Sequence, residues 1–369
     1  MGCGCTYQVY KIVLPSKKAE EEGREGRGTR RGTTGVTYSS PRRLKTLRIK
    51  MSASARALAL FYAASYSYVD VSDAFSTNTD QKVVLITGAN KGIGKEISRL
   101  VGREEDSFAL LTCRDLSLGR EAVLDLRQTS EEDGVEWDGE LLPVPLDLDD
   151  HESIGQAIEW VENEYGRIDV LINNAAVCFN SPTLYGRVEH KTFEEQADIT
   201  IRTNYFGTLE VTERCLPLLK KSSSPRIINV ASYAGRLAIL RSQDLVDAFT
   251  SETLTIPELS SLIQEFTRDV HDGSYQSKGW PTTCYGMSKL GLIALTRILA
   301  RQHPDMMVNS VDPGYCCTDQ NNNQGPVDAA DGAYTPYLLT QMECDEASGE
   351  VMSGLHFYEQ QEIPWTYEF

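Results

Sequence analysis

The stretch KVVLITGANKGIGKEISRL, Lys82 to Leu100, decides how this chain is read. Its opening, KVVLI, is an unbroken apolar run, the pattern of a strand buried on both faces of a parallel sheet. The run ends at Thr87 and Gly88, and glycine returns at Gly92 and Gly94, so the spacing is T-G-x-x-x-G-x-G. Past Gly94 the chain reads as a helix. A strand that enters a glycine loop and leaves as a helix gathers backbone N–H groups and a helix N-terminus at one point, where a pyrophosphate can sit. Gly88, Asn90, Lys91, Gly92, Ile93 and Gly94 are the candidate contacts.

Working outward, the same texture repeats. FALLTC, LLPVPLD, IDVLINNA, RIINVAS and MMVNSVDPG are further apolar runs, with helical patterns between them. In HESIGQAIEWVENEYG, for example, Ile154, Ala157, Ile158 and Val161 recur at helical spacing. Alternation of this kind predicts an α/β fold: a Rossmann-type, doubly wound parallel sheet of about seven strands with helices on both faces. It fills one domain, residues 81–369.

The second strand ends in LLTCRD, which places Arg114 where dinucleotide folds read the adenosine ribose. A carboxylate there grips a 2′-hydroxyl, whereas an arginine accommodates a 2′-phosphate. Arg114 and Lys91 together favour NADP(H) over NAD(H), although Asp115 beside Arg114 tempers this. The third strand ends in PLDLDD, where Asp147 and Leu148 are candidates for the adenine side.

Residues 1–80 have a different composition. They carry a net charge of +6 within a chain of −17, which leaves the body strongly acidic. Such a body repels nucleic acid and anionic membrane, so attraction for a phosphorylated ligand must be local. KKAEEEGREGRGTRRGTTG is a Gly- and charge-rich tract that cannot bury itself. PRRLKTLRIKMSASARALALFYAASYSY is basic, Ser/Ala-rich and free of acids, the composition of an organelle transit segment, a disordered leader, or upstream sequence absent from the working protein. MGCGCT also fits an N-myristoylation pattern with Cys3 and Cys5 open to palmitate. The nine cysteines hold no C-x-x-C pair, and none of the five histidines falls in an H-E-x-x-H or Cys/His cluster, so neither a disulfide framework nor a metal site is expected. No run of eighteen apolar residues predicts a membrane span.

Six motifs follow one another in order: TGANKGIG, NNAA (Asn173–Ala176), Asn204, Ser232, YGMSK (Tyr285–Lys289) and VDPGYCCTD. On these the chain resembles the short-chain dehydrogenase/reductase family over about residues 82–360. LTCRD, LDLDDHESI, EYGRIDVLINNA, TNYFGTLEV, KGWP and YGMSKLGLIALTRI are similar to the group of monomeric carbonyl reductases that use NADPH. The resemblance implies reduction of an aldehyde, ketone or quinone, with Ser232 holding the carbonyl and Tyr285 donating the proton. Lys289 lies four residues on, on the same helical face, and its ammonium is expected to lower the phenol's pKa. The resemblance also gives Lys289 the nicotinamide ribose, Asn204 a water in the proton relay, and Asn174, Pro313 and Gly314 places beside the cofactor. A cofactor-binding protein without turnover is the alternative.

Ser232 and Tyr285 stand 53 residues apart, wider than the family's usual gap. The extra segment, about 236–281, contains TIPELSSLIQEFTRDVHDG. Leu259, Leu262, Ile263, Phe266 and Val270 fall on one helical face, with Thr255 as N-cap and Pro257 in the first turn. In the monomeric relatives such an insertion covers the surface by which tetrameric ones associate, so a monomer is expected; the resemblance also implies a cytoplasmic location, with the leader leaving organelle import or N-terminal acylation open. Two positions depart from the family pattern: Ala176 stands where N-N-A-G is usual, and Asp312 precedes the Pro-Gly turn. CCTDQNNNQG reads as a mobile polar lid.

Overall fold

The computed structural model describes residues 81–179, 191–342 and 352–365, apart from positions 133, 135, 136 and 138. The expectations for residues 1–80 lie outside the described residues. One sheet organises the rest, with strand order β3-β2-β1-β4-β5-β6-β7-β8. The strands are β1 (Lys82–Ile86), β2 (Ser107–Cys113), β3 (Glu140–Pro145), β4 (Val170–Asn173), β5 (Arg226–Val230), β6 (Met307–Asp312), β7 (His356–Tyr358) and β8 (Gln361–Glu362). The first seven run parallel, and β8 returns antiparallel on β7. The eighth strand is a two-residue hairpin arm, too short to leave a periodic signal.

β1 lies between β2 and β4, with Val84 opposite Ala109 on one side and Val170 on the other. The chain therefore reverses its direction of travel across the sheet after β3. In a doubly wound sheet that reversal opens a crevice at the carboxyl ends of β1 and β4. β4, β5 and β6 are buried at every position, which is why each reads as a continuous apolar run. Alternate residues feed two cores. Val83, Leu85, Leu171 and Ile227 face one, and Val84, Ile86, Ile172 and Ile228 face the other.

On the second face pack helices α1 (Gly92–Val101), through Ile97 and Val101, and α2 (Leu116–Glu132), through Ala122 and Leu126. On the first face lies α3 (His151–Tyr165). Asp150 caps it by accepting from Glu152 and Ser153 N–H, and Gly166 ends it in the left-handed region at φ 72°. α4 (Phe193–Ile201) runs through a π-turn, Arg202–Gly207, into α5 (Thr208–Leu219).

The insertion holds two helices, α6 (Gln243–Thr250) and α7 (Ile256–His271), where the sequence pattern revealed one. α7 begins as expected, with Thr255 and Glu258 forming a reciprocal capping box and Pro257 in the first turn. Its Leu259, Ile263, Phe266 and Val270 are buried against α4 and against α8 (Cys284–Gln302), and Leu262 is partly buried there. The Tyr205 hydroxyl meets Ser260 Oγ at 3.0 Å. Trp280 of KGWP is fully buried, stacked edge-on by Phe249 and Phe266, and its indole N–H donates to Asp269 at 2.7 Å. α9 (Ala329–Gln341) completes the second face. Among the described residues no helix is long and apolar enough to cross a membrane.

Candidate active site

The carboxyl ends of β1, β4, β5 and β6 open into one cleft of about 1160 Å³. Of the candidate catalytic and cofactor-binding residues, all but Gly94 and Asn204 line it. The cleft is large enough for a dinucleotide with a small substrate beside it.

The glycine loop is built for close approach. Gly88 and Gly92 sit in the left-handed region, at φ +62° and +55°. A Cβ on Gly88 would meet Ala175 Cα at 2.8 Å, and one on Gly94 would meet Asn174 Nδ2 at 2.5 Å and Gly88 O at 2.7 Å. Gly94 thus lies behind the loop rather than in its mouth. Thr87 Oγ1 accepts from the backbone N–H of Asn174 (2.9 Å) and Ala175 (3.0 Å), and the Asn174 amide donates to Thr87 O (2.9 Å) and Gly88 O (3.1 Å). Asn174 therefore holds the loop itself. The departure at Ala176 falls one residue beyond the crowded contact, which is made by Ala175. α1 starts at Gly92 with no side-chain cap from Lys91 and no acidic residue in its first turn. Its first N–H groups are left for a ligand, and the positive end of the helix favours an anion. These features fit the pyrophosphate of a nicotinamide dinucleotide.

Just past β2, Arg114 is exposed and forms no ion pair among the described residues. Lys91 pairs with Asp319 at 2.5 Å, both side chains about half exposed (50% and 54%). Asp147 accepts from Asp149 N–H at 3.1 Å. Leu148 lies against Gly207, where a Cβ would come within 2.4 Å of Leu148 O.

The chemical centre sits at the other end. Ser232 follows β5 as the cap of a short turn, and its Oγ accepts from Ala234 N–H at 3.2 Å. Tyr285 and Lys289 lie on the first turns of α8, which Thr283 caps. Ser232, Tyr285 and Gln320 line the cleft together, and Gln320 and Ser232 each act to lower the Tyr285 phenol. Lys289 is 2% exposed, and its ammonium donates to Val230 O at 2.6 Å. Asn204, fully buried in the π-turn, stands behind the wall. Its amide donates to Val177 O (2.9 Å) and Ser288 Oγ (3.1 Å), and its oxygen accepts from Val177 N–H (2.8 Å). Both amide protons are thereby used.

One expectation is corrected. The Tyr285 phenol is pushed above its ordinary value, mainly by burial and further by Cys178 and Asp312, rather than lowered by Lys289. The reason is geometric: the Lys289 ammonium is drawn to Val230 and stands 5.5 Å from the Tyr285 ring centroid. Burial acts on Lys289 too and brings it down to about 8. The phenol is thus a firmly protonated group, the state a proton donor requires.

Gln320 was missed as an individual residue. It belongs to the polar lid, where nothing in the spacing marks which side chain turns inward. The lid forms a short turn, Asp319–Asn321, that reaches the glycine loop through Lys91 and places Gln320 in the cleft with Tyr285.

A Rossmann-type sheet with an uncapped glycine-loop helix and a Ser–Tyr–Lys group in one cleft defines a class of nucleotide-dependent oxidoreductase. The short chain dehydrogenase family matches residues 82–242. Carbonyl reductase 1 (NADPH) of Bos taurus is 34% identical over 77% of this chain and 98% of its own length. The (+)-neomenthol dehydrogenase of Capsicum annuum is 34% identical over 76% of this chain and 96% of its own. The solved structure of salutaridine reductase from Papaver somniferum is 28% identical, covers 75% of this chain and 99% of its own, and superposes with a TM-score of 0.65. The chain belongs to the short-chain dehydrogenase/reductase family.

Proposed function

We propose that this protein reduces the carbonyl group of an aldehyde, ketone or quinone to an alcohol, with Tyr285 as proton donor. It is an NADPH-dependent oxidoreductase, and when bound NADPH supplies the hydride. The observation that carries the reading is that Ser232, Tyr285 and Lys289 line the same cleft as a glycine loop whose helix is left uncapped.

Gly88, Asn90, Gly92 and Ile93 hold the pyrophosphate with the N–H groups of α1. Arg114 and Lys91 take the 2′-phosphate, for which Lys91 must leave Asp319. Asp147 and Leu148 border the adenine, and Pro313 and Gly314 border the opposite end. Lys289 holds the nicotinamide ribose. Ser232 donates to the carbonyl oxygen and orients it, and Tyr285 delivers its proton as negative charge builds there. A phenol raised by burial keeps that proton until an alkoxide, the stronger base, draws it off. Asn204 fixes Val177 in the wall, and its π-turn is where a relay water would be held. We infer a monomer, because α7 packs against α4 and α8, and place it in the cytoplasm by its likeness to the carbonyl reductases.

Loss of NADPH absorbance, followed against quinones, aldehydes and ketones, tests this. Turnover of at least one class with NADPH, and poor turnover with NADH, is expected. Tight NADPH binding with no turnover of any class would overturn it.

A further inference from the structure

Asp312 ends β6 only 5% exposed, inside the cleft. Its two carboxylate oxygens are used separately. Oδ2 accepts from Tyr233 N–H at 2.9 Å, and Oδ1 accepts from Gly314 N–H at 3.0 Å. The first amide belongs to the turn that follows Ser232, and the second to the Pro313–Gly314 turn. One side chain therefore ties together two walls of the cleft. Without it two amides would lose their partner.

Strand register brings the same carboxylate toward Lys289. The ammonium is anchored on Val230 O, at the end of β5, and Val230 pairs with Val311 of β6. Asp312 is the next residue along β6, and adjacent strands lie about 4.8 Å apart. A buried ammonium that donates to a neutral carbonyl needs a charge of opposite sign close by.

We propose that Asp312 is a positioning residue for the reaction, tethering the Ser232 turn to the Pro313–Gly314 turn and supplying the countercharge that keeps Lys289 an ammonium. This rests on the roles given above to Tyr285 and Lys289.

The electrostatics agree. Burial drives Lys289 down, and Cys178 and Asp312 push it back up. Asp312 also raises Tyr285, and Lys289 in return lowers Asp312, whose own value burial raises. The other titratable groups facing this cluster are Cys178, Cys316 and Tyr358. Burial lifts Cys316 to about 12, and Tyr358 is held at about 12 by its hydrogen bond to Glu359 and by burial. Those two stay neutral at neutral pH, and Asp312 is the carboxylate among the groups that act on Lys289, with Cys178 the larger influence.

Asp312→Asn removes the charge and can retain one amide bond. Two readings decide: the pH profile of kcat/KM for carbonyl reduction, and the ratio of NADP+ to NADPH dissociation constants from fluorescence titration. Without the anion both Lys289 and Tyr285 lose a proton more easily, so the alkaline limb moves to lower pH. The oxidised nicotinamide carries a positive charge that the reduced ring lacks, so NADP+ binding weakens more than NADPH binding. An alkaline limb and a ratio that stay in place, even with a lower rate, would reduce Asp312 to a structural tether and overturn the proposal. Should Asp312→Asn not fold, Asp312→Ser is read in the same way. A wild-type chain that binds no NADPH would overturn the reading of the cleft itself.

Discussion

Gly94→Ala isolates what the glycine loop requires. Gly94 is in helical conformation, so in open space alanine would stabilise α1 by about 1 kcal/mol. Here the new methyl meets Asn174 Nδ2 at 2.5 Å, Gly88 O at 2.7 Å and Ala89 Cα at 3.0 Å. Two of those atoms are backbone. The third cannot withdraw freely, because it donates to Thr87 O and Gly88 O. Breaking those two bonds costs about 2 kcal/mol, at about 1 each. Forcing the loop apart adds about 1–3 kcal/mol. Set against the helix gain, the net is a loss of about 2–4 kcal/mol. Urea unfolding followed by circular dichroism reads the stability, and fluorescence titration reads NADPH affinity, which should fall with it because Asn174 holds the loop. A variant as stable as wild type, or more stable, with unchanged NADPH binding would refute the crowding argument.

Other perturbations test other parts of the site. Arg114→Asp should weaken NADPH by about 10–100-fold, the worth of a charged hydrogen bond to phosphate, while sparing NADH; comparing KM for the two cofactors reads it. Asp319→Ala frees Lys91 from a half-exposed ion pair, so NADPH affinity should rise by up to about five-fold in a titration. His356 is buried with its Nδ1 2.9 Å from Ser310 Oγ, and burial lowers it to about 4, below its ordinary 6.5. Between pH 6.5 and 4 the unfolded chain binds a proton that the folded chain refuses, so stability falls as pH drops through that window, by about 3 kcal/mol in all. His356→Gln should flatten that part of the curve in urea titrations at several pH values.

The parts of this fold that could be read from sequence are those whose physics is local. β1, β4, β5 and β6 are covered on both faces, so each had to be an apolar run, and each was visible as one. Gly88 and Gly92 need positive φ, which only their residue type supplies freely, and the loop was found through them. Thr255 and Glu258 cap α7 through three residues of spacing. What escaped depends on the meeting of distant segments. α6 and β8 are too short to show a period. The shift of Tyr285 follows from how deeply α8 is enclosed and from where Val230 draws Lys289, neither of which is in the four-residue spacing of YGMSK. The inward turn of Gln320, and the Lys91–Asp319 pair spanning 228 residues, are choices made by an irregular loop.

Tyr285→Phe tests the central claim most directly, because it removes one hydroxyl and keeps the ring. NADPH affinity by fluorescence titration and carbonyl turnover by NADPH absorbance are measured on the same preparation. If Tyr285 donates the proton, binding is unchanged and turnover falls by about 10²–10⁴-fold. Turnover near the wild-type rate would contradict the account and move proton donation to another group in the cleft.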